Sequence, residues 1–268
     1  MRVIYIAGAS HSGSTLLDMM LNAHPEIISV GELLKLNRVK RSKSGKPKFT
    51  RCSCGASGLL RCEFWSRVNE RILHDHGKSL ADLDLDHHCH SAEGPDANSI
   101  LFRAISEVSG KEFVVDSSKL PRRLKHLMGY DELNVYPIHL IRDPRGQIAS
   151  VIAKNGLMKS ILYHEVVHAQ ARSALKSVPH SIARYEDLVR KPEKTLDQIL
   201  EPLGLRFNPR QLHWAEQLKH SFAGNHVRKQ SKSELVLDER WKHRLSPGQI
   251  SLIGVGTVLS QNRKRRAG

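Results

Sequence analysis

The sequence has no long apolar run, few aromatic residues and few cysteines. No run of about 18 apolar residues occurs, so the chain is predicted to have no membrane-spanning helix. Aromatic residues make up only 5% of the chain, which argues against a protein that binds nucleic acid by stacking its bases. Four cysteines are too few for a disulfide scaffold of 268 residues. So few cysteines are typical of a reducing compartment, and we expect a cytoplasmic protein.

Acidic residues are also scarce. There are 27 Asp and Glu against 42 Lys and Arg, which gives a formal charge of +15. This charge favours an anionic partner, and nucleic acid, a membrane surface and a phosphorylated or sulfated small molecule all satisfy it. With 40% hydrophobic residues, the chain can bury a sizeable core. We expect a single domain over residues 1–261 with polar insertions at about 35–60 and 74–99, followed by a disordered basic tail at 262–268.

The hydrophobic pattern predicts strands that alternate with helices. Short apolar runs predict strands at residues 3–7, 113–115, 136–141 and 181–184. Helical spacing predicts helices at residues 16–21, 147–153, 161–178 and 192–203. This alternation indicates an α/β fold of three layers, in which helices flank a mostly parallel central sheet. Such sheets bind ligands beyond the carboxyl ends of their strands, and polar motifs follow three of these strands.

The most prominent motif follows the first predicted strand. Residues 8–15 have the Gly-x-x-x-x-Gly spacing of a Walker loop, but Ser14 stands where a nucleoside-triphosphate site needs its Lys. A loop of small residues that leads into a helix still offers backbone N–H groups to a phosphate. A tight strand-to-helix turn without a ligand is the alternative. The predicted phosphate-binding residues are Ser10, His11, Ser12, Gly13, Ser14, Thr15 and Leu16.

Four motifs together resemble the sulfotransferases that use 3′-phosphoadenosine 5′-phosphosulfate (PAPS). Residues 11–17 look like the 5′-phosphosulfate loop of that family, and Arg142 with Ser150 like its 3′-phosphate element. Residues 184–188 and 224–228 are similar to two later segments, which contain Tyr185 and Arg228. The resemblance covers nearly the whole chain and implies a P-loop-like fold with PAPS as the donor. Overall, the sequence resembles bacterial sulfotransferases.

The positions of these residues are consistent with a donor that carries two anionic groups. Arg142 follows a predicted strand and Ser150 lies about two helical turns later, so both side chains can converge on one phosphate. Lys154 follows on the same predicted helix and can add a positive charge. Tyr185 is expected at the adenine, with a structural tyrosine as the alternative.

Residues 22–27 and the pair Gly31 and Glu32 resemble the segment after the phosphate loop in tyrosylprotein sulfotransferases. The resemblance implies that Glu32 is the catalytic base, and it places Lys119 where the family has a Lys beside the leaving phosphate. His24 is a rival base, although a His before Pro is typical of a structural turn. In-line sulfuryl transfer to a hydroxyl or amine needs no metal ion. A carbohydrate, lipid, metabolite or peptide acceptor is compatible with the sequence, as is any oligomeric state.

His11 departs from the resemblance, because the family usually has Lys or Arg there. Either His11 is protonated beside the bound anion, or another basic group replaces it. Two functions outside the family also stay open. A degenerate P-loop kinase would need ATP and Mg²⁺, and the missing Lys argues against it. A nucleic-acid-binding protein fits the charge, but no nucleic-acid-recognition motif is present, and we expect no specific nucleic-acid partner.

Three of the four cysteines are close together, at Cys52, Cys54 and Cys62. Structural zinc with Cys89 or a nearby histidine as fourth ligand, a disulfide, and reduced structural thiols are all compatible with this spacing. Reduced thiols are the favoured interpretation, so no metal ligand is predicted. Residues 86–90 are rich in histidine, and we interpret them as an exposed loop.

Overall fold

The central sheet contains five parallel strands, and it confirms the predicted α/β class. The computed structural model describes residues 1–36, 51–85, 96–222, 224, 226–229 and 232–265. The strands are β1 (Arg2–Gly8), β2 (Ile27–Ser29), β3 (Phe113–Lys119), β4 (Asn134–Ile141) and β5 (Ser181–Arg184). Their order across the sheet is β2-β3-β1-β4-β5, so β1 is the central strand.

Helices connect these strands and cover both faces of the sheet. The helices before β4 are α1 (Ser14–Asn22), α2 (Glu63–His76), α3 (Ala97–Ser109) and α4 (Pro121–Leu127). Those between β4 and β5 are α5 (Pro144–Ala149), α6 (Ile152–Asn155) and α7 (Leu157–Leu175). After β5 come α8 (Tyr185–Arg190), α9 (Pro192–Leu200), α10 (Trp241–Arg244) and α11 (Pro247–Arg265). Short 3₁₀ turns lie at Leu33–Lys35, Glu201–Leu203, Pro209–His213 and His226–Lys229. Among the described residues, no helix combines the length and the apolar character needed to cross a bilayer.

The core has two halves because β1 buries side chains on both of its faces. Val3, Tyr5 and Ala7 belong to one hydrophobic cluster, which also contains α2 and α3 residues. Ile4 and Ile6 belong to another, which contains residues of α1, α8 and α9. Successive strand residues point to opposite faces, so the continuous apolar run of β1 is what a central parallel strand requires. Each cluster packs helices against one face of the sheet, which gives the three layers.

The structure extends β3 beyond its predicted end. The residues from Asp116 to Lys119, predicted to follow the strand, are its last four. Asp116, Ser117 and Ser118 are buried in spite of their polarity, and Asp116 forms an ion pair of 2.6 Å with the buried Arg123 of α4. A register shift between β1 and β3 accompanies this end, where Lys119 has a φ of 72°. The last polar side chains of β3 therefore lie at the carboxyl edge of the sheet.

The structure also differs from the bounds predicted for one helix and for one insertion. The helix predicted at 147–153 is two short helices, because the chain leaves α5 at Ser150 and resumes with α6. In the insertion predicted at 74–99, Leu80, Leu83 and Leu85 are buried in the core, and residues 86–95 lie outside the described residues. Most of the other insertion, residues 37–50, also lies outside them. The described part of the predicted tail, 262–265, continues the backbone of α11.

Candidate active site

The carboxyl edge of the sheet holds a cavity of about 800 Å³, a size typical of small-molecule sites. Residues after β1, β2, β3 and β4 meet there, because parallel strands end at the same edge. The predicted residues that line the cavity are Ser10, His11, Gly13, Ser14, Thr15, Leu16, Glu32, Lys119, Arg142 and Tyr185. Residues that were not predicted also line it, among them Lys35, Tyr163, Asp238 and Arg240.

The glycine-rich loop joins β1 to α1. Gly13 caps α1 with a φ of 91°, and a Cβ there would lie 2.4 Å from Cδ2 of Tyr185. Both observations require glycine. Ser12 is buried, and its hydroxyl donates a hydrogen bond of 2.7 Å to the Ala9 carbonyl, so this side chain shapes the loop from within. No side chain caps the N-terminus of α1, and its first residues line the cavity, which suits an anionic ligand.

Side chains from two later helices hold the start of this loop. The Tyr163 hydroxyl of α7 accepts the Ser10 N–H at 3.2 Å and donates to the Ser10 hydroxyl at 3.0 Å. Gln147 Nε2 of α5 donates to the Ser10 carbonyl at 3.1 Å. Tyr163 and Gln147 carry no sequence signal of this role, because each is a single residue in an ordinary helical pattern. The loop conformation therefore depends on side chains far along the chain.

A buried histidine cluster supports Gln147. His139 of β4 and His168 of α7 share a hydrogen bond of 3.0 Å between Nε2 and Nδ1, and the His164 ring lies 4.5 Å from the His168 ring. His164 Nδ1 hydrogen-bonds to Oε1 of Gln147. Burial, followed by neighbouring positive groups, lowers the pKa of His139 and His164 to about 4 and that of His168 to about 3. We call these three residues the histidine cluster, and it is neutral at pH 7.

Glu32 lies between two lysines. Its Oε1 is 2.9 Å from Lys119 Nζ, and its Oε2 is 2.7 Å from Lys35 Nζ. Burial by itself raises the pKa of Glu32, but the two ammonium groups outweigh it and hold that pKa below its usual value. Lys119 Nζ also donates to the Ser117 carbonyl at 3.2 Å. The site thus contains an ionised carboxylate in contact with the cation predicted to stabilise the leaving group.

Arg142 is buried at the start of the loop after β4, and three groups surround its guanidinium. Nη1 donates to the His11 carbonyl at 2.9 Å, and the guanidinium carbon lies 4.5 Å from the centre of the Tyr185 ring. Nη2 lies 3.1 Å from Oδ2 of Asp238. Asp238 also binds Arg240 through both carboxylate oxygens, at 2.7 and 2.8 Å. Those hydrogen bonds and the Arg142 charge keep the pKa of Asp238 far below its usual range.

The surroundings of His11 favour the neutral form of its imidazole. Burial, followed by the charges of Lys119 and Arg142, lowers the pKa of its imidazole below the usual value. Its backbone has a φ of 66°, and its carbonyl accepts the hydrogen bond from Arg142 described above. Of the two interpretations of this departure, the geometry favours replacement by other basic groups. Lys35 and Lys119 supply the positive charge near the loop.

Besides the buried Ser12, three predicted donor contacts do not line the cavity. The Ser150 hydroxyl donates to the Gly146 carbonyl at 2.9 Å, and Lys154 is exposed on α6. Arg228 Nη1 donates to the Ser53 hydroxyl at 3.1 Å and to the Ser221 carbonyl at 3.3 Å. Contact between these side chains and a donor stays a prediction.

His24, the rival base, has a structural role in this fold. Its Nδ1 accepts the Glu26 N–H at 3.2 Å, and Nε2 lies 3.0 Å from the Arg206 carbonyl, to which it donates. Both ring nitrogens are therefore engaged in holding the turn before β2. Of the two predicted bases, Glu32 lines the cavity and His24 does not.

Comparison with known proteins agrees with this architecture. The sulfotransferase domain of the curacin biosynthetic pathway has 19% sequence identity and a TM-score of 0.59, over 95% of this chain and 96% of that one. The sulfotransferase domain of the Synechococcus PCC 7002 olefin synthase has 20% identity and a TM-score of 0.55, over 95% of this chain and 94% of that one. Both similarities concern the fold, which is the P-loop-like fold expected.

Two curated relatives match part of the chain by sequence. Human carbohydrate sulfotransferase 6 and mouse carbohydrate sulfotransferase 5 are each 25% identical over 183 residues. The alignment covers 52% of this chain and 46% of each relative, so the chain spans about half the length of the curated relatives it matches. A family model described as "Sulfotransferase family" matches residues 3–209. This chain therefore belongs to the sulfotransferase family.

Proposed function

We propose that this protein transfers a sulfuryl group from PAPS to a hydroxyl or amine of an acceptor. The observation that carries the proposal is the single cavity in which the glycine-rich loop, Arg142, Lys119 and Glu32 meet. PAPS has a phosphosulfate at one end of its ribose and a phosphate at another position, so it needs two separate anion sites. The loop with α1 provides one and Arg142 provides the other.

The 5′-phosphosulfate binds at the N-terminus of α1, where backbone amides and the loop face the cavity. The 3′-phosphate binds the guanidinium of Arg142, which can form two parallel hydrogen bonds with phosphate oxygens. Asp238 contacts one edge of that guanidinium, so the phosphate competes with its carboxylate. Tyr185, whose ring already lies against the guanidinium, borders the nucleoside.

The transfer step requires a base and a charge on the leaving side. The acceptor oxygen or nitrogen attacks sulfur and gives its proton to Glu32, while the bond between sulfur and the bridging phosphate oxygen breaks. Adenosine 3′,5′-bisphosphate (PAP) leaves with the negative charge, which Lys119 Nζ stabilises. Lys119 contacts Glu32 before the donor binds. When Lys119 turns to the donor, Glu32 loses part of the charge that depresses its pKa and becomes a stronger base.

Binding of PAP tests the donor assignment before any acceptor is known. We expect PAP to raise the thermal midpoint of the wild-type protein, because a ligand that binds the native state stabilises it. The shift should be lost in Arg142→Ala and kept in Arg190→Ala, which removes an exposed arginine at the end of α8. A larger shift with ATP and Mg²⁺ would favour the kinase alternative and contradict the proposal.

Turnover tests the rest of the proposal. We expect PAPS to be converted to PAP when alcohol and amine acceptors, including carbohydrates, are supplied. The carbohydrate class is included because both curated relatives are carbohydrate sulfotransferases. PAP binding that competes with RNA and disappears at raised salt, without any turnover, would instead support the nucleic-acid alternative.

A further inference from the structure

Three cysteines and a distant histidine meet outside the cavity. Cys52, Cys54, Cys62 and His220 each offer one ligand atom, and these four atoms all lie within 4.8 Å of one another. Sγ of Cys54 is 3.6 Å from Sγ of Cys62, which in turn is 3.3 Å from Nδ1 of His220. All three cysteines are free thiols.

We propose that Cys52, Cys54, Cys62 and His220 bind a structural zinc ion. Zinc binds thiolate sulfur at about 2.3 Å and imidazole nitrogen at about 2.0–2.1 Å in tetrahedral sites. Two sulfurs on one such ion are separated by about 3.8 Å, and a sulfur and a nitrogen by about 3.6 Å. The observed distances of 3.6 and 3.3 Å are close to these values. A disulfide needs sulfur atoms about 2.05 Å apart, which the pair does not have.

The histidine is held in the orientation that a ligand needs. Its ring stacks on Phe64, with the ring centres 4.7 Å apart and the planes 12° from parallel. Its backbone carbonyl accepts a hydrogen bond of 2.7 Å from Nε1 of Trp65, and Trp65 is fully buried. Both aromatic residues lie in the first turn of α2, two and three positions after Cys62, so one short segment places a ligand and orients its partner. These contacts fix the His220 ring with its Nδ1 beside the Cys62 sulfur.

The turn that contains the first two cysteines is also constrained. Cys52 N–H donates to the Ala56 carbonyl at 2.9 Å, and Gly55 N–H donates to the Cys52 carbonyl at 3.0 Å. Gly55 has a φ of 98°, which lets the chain reverse direction tightly after Cys54. Cys52 is 4% exposed and Cys62 is fully buried. A closed, four-ligand site of this kind has a structural role, since it leaves no position for substrate.

The zinc site supports the segment that carries Arg228. Ser53, between the first two ligands, donates its N–H to the Ser221 carbonyl at 2.9 Å, and the two hydroxyls are 2.7 Å apart. Arg228 donates to both of these serines. The ion would thus join residues 52–62 to residues 220–228, two segments far apart in sequence. The site itself does not depend on the proposed function, because its ligands are outside the cavity.

Metal analysis of the full chain tests the proposal. The protein is purified without chelators or an affinity tag that binds metal, and its zinc is measured by mass spectrometry. We expect about one zinc ion per chain, reduced at least fivefold in Cys62→Ser and in His220→Ala. Cys89→Ser, at the fourth cysteine, and His213→Ala, at an exposed histidine, are the matched controls and should keep the wild-type content.

A second measurement keeps the test independent of whether the ligand variants fold. Wild-type protein is stripped of metal and reloaded with Co²⁺, which gives intense thiolate-to-cobalt absorption when cysteines bind it. Thiols are also counted after unfolding without reductant, and all 4 cysteines should react. Wild-type protein without zinc and without the cobalt absorption would overturn the proposal. So would a thiol count lowered by a disulfide, or unchanged zinc in both ligand variants.

Discussion

Asp238 is expected to compete with the donor for Arg142, and its removal should tighten PAP binding. Its carboxylate lies 3.1 Å from Arg142 Nη2, the guanidinium assigned to the 3′-phosphate, and it is held there by Arg240. Asp238→Asn keeps the size and the hydrogen-bonding shape of the side chain but removes its charge. The phosphate then meets an arginine that has no anionic partner in this position.

The size of the effect follows from the charges. A 3′-phosphate carries about two negative charges at neutral pH. Two anions bound to one guanidinium lie roughly 6 Å apart, and their repulsion is about 1.4 kcal/mol at a dielectric constant of about 80. If Asp238 instead moves away, its charge-assisted hydrogen bond to Arg142 is lost, at a cost of about 1.5–3 kcal/mol. Either route predicts that Asp238→Asn binds PAP at least about tenfold more tightly than wild type.

Isothermal titration calorimetry with PAP at two salt concentrations measures this change. The matched control is Glu239→Gln, which removes the same charge from the cavity lining at a side chain paired with Lys242. We expect Glu239→Gln to change the affinity for PAP by less than about threefold at physiological salt, because screening weakens the interaction of charges that are not in contact. If Asp238→Asn folds normally but binds PAP more weakly than wild type, Asp238 positions Arg142 and the competition argument is wrong.

Three further predictions concern other parts of the site. Gly13→Ala should abolish PAP binding, because the added Cβ would lie 2.4 Å from the Tyr185 ring. The control is Gly77→Ala, whose Cβ would have nothing within 4 Å, and it should only lower the thermal midpoint slightly. Glu32→Gln should retain PAP binding but lose about 10²–10⁴ of the transfer rate, and equal rates for both proteins would exclude Glu32 as the base. The folded pKa values of the histidine cluster, about 3 to 4, lie below the unfolded value of 6.5, so the unfolded state takes up protons first as the pH falls. The free energy of unfolding should therefore fall between pH 6.5 and about 4. From pH 7 to pH 5 the loss should be about 2 kcal/mol per imidazole. Urea unfolding with the same midpoint at both of these pH values would contradict this.

Local sequence patterns were sufficient to predict the glycine-rich loop and the strand ends that form the site. The strand-loop-helix pattern around Gly13 needs only neighbouring residues, and so does the position of Arg142 directly after β4. Because parallel strands end at the same edge of the sheet, Glu32 and Lys119 lie in contact. Neither sequence motif by itself predicts that contact. The end of β3 could not be predicted in this way. A buried Asp116 fits a strand only because Arg123 neutralises it, and that partner belongs to the next helix.

The contacts that complete the cavity and the proposed zinc site come from single residues with no motif of their own. Tyr163 lies 153 residues from Ser10, Asp238 lies 96 residues from Arg142, and His220 lies 158 residues from Cys62. A lone Tyr, Asp or His is chemically ambiguous until the fold shows what it faces. Asp238 and His220 also lie beyond residue 209, where the match to the family ends. The segment after that point supplies both the carboxylate on Arg142 and the fourth ligand of the proposed zinc site, so variants there should alter donor affinity without changing the predicted phosphate loop.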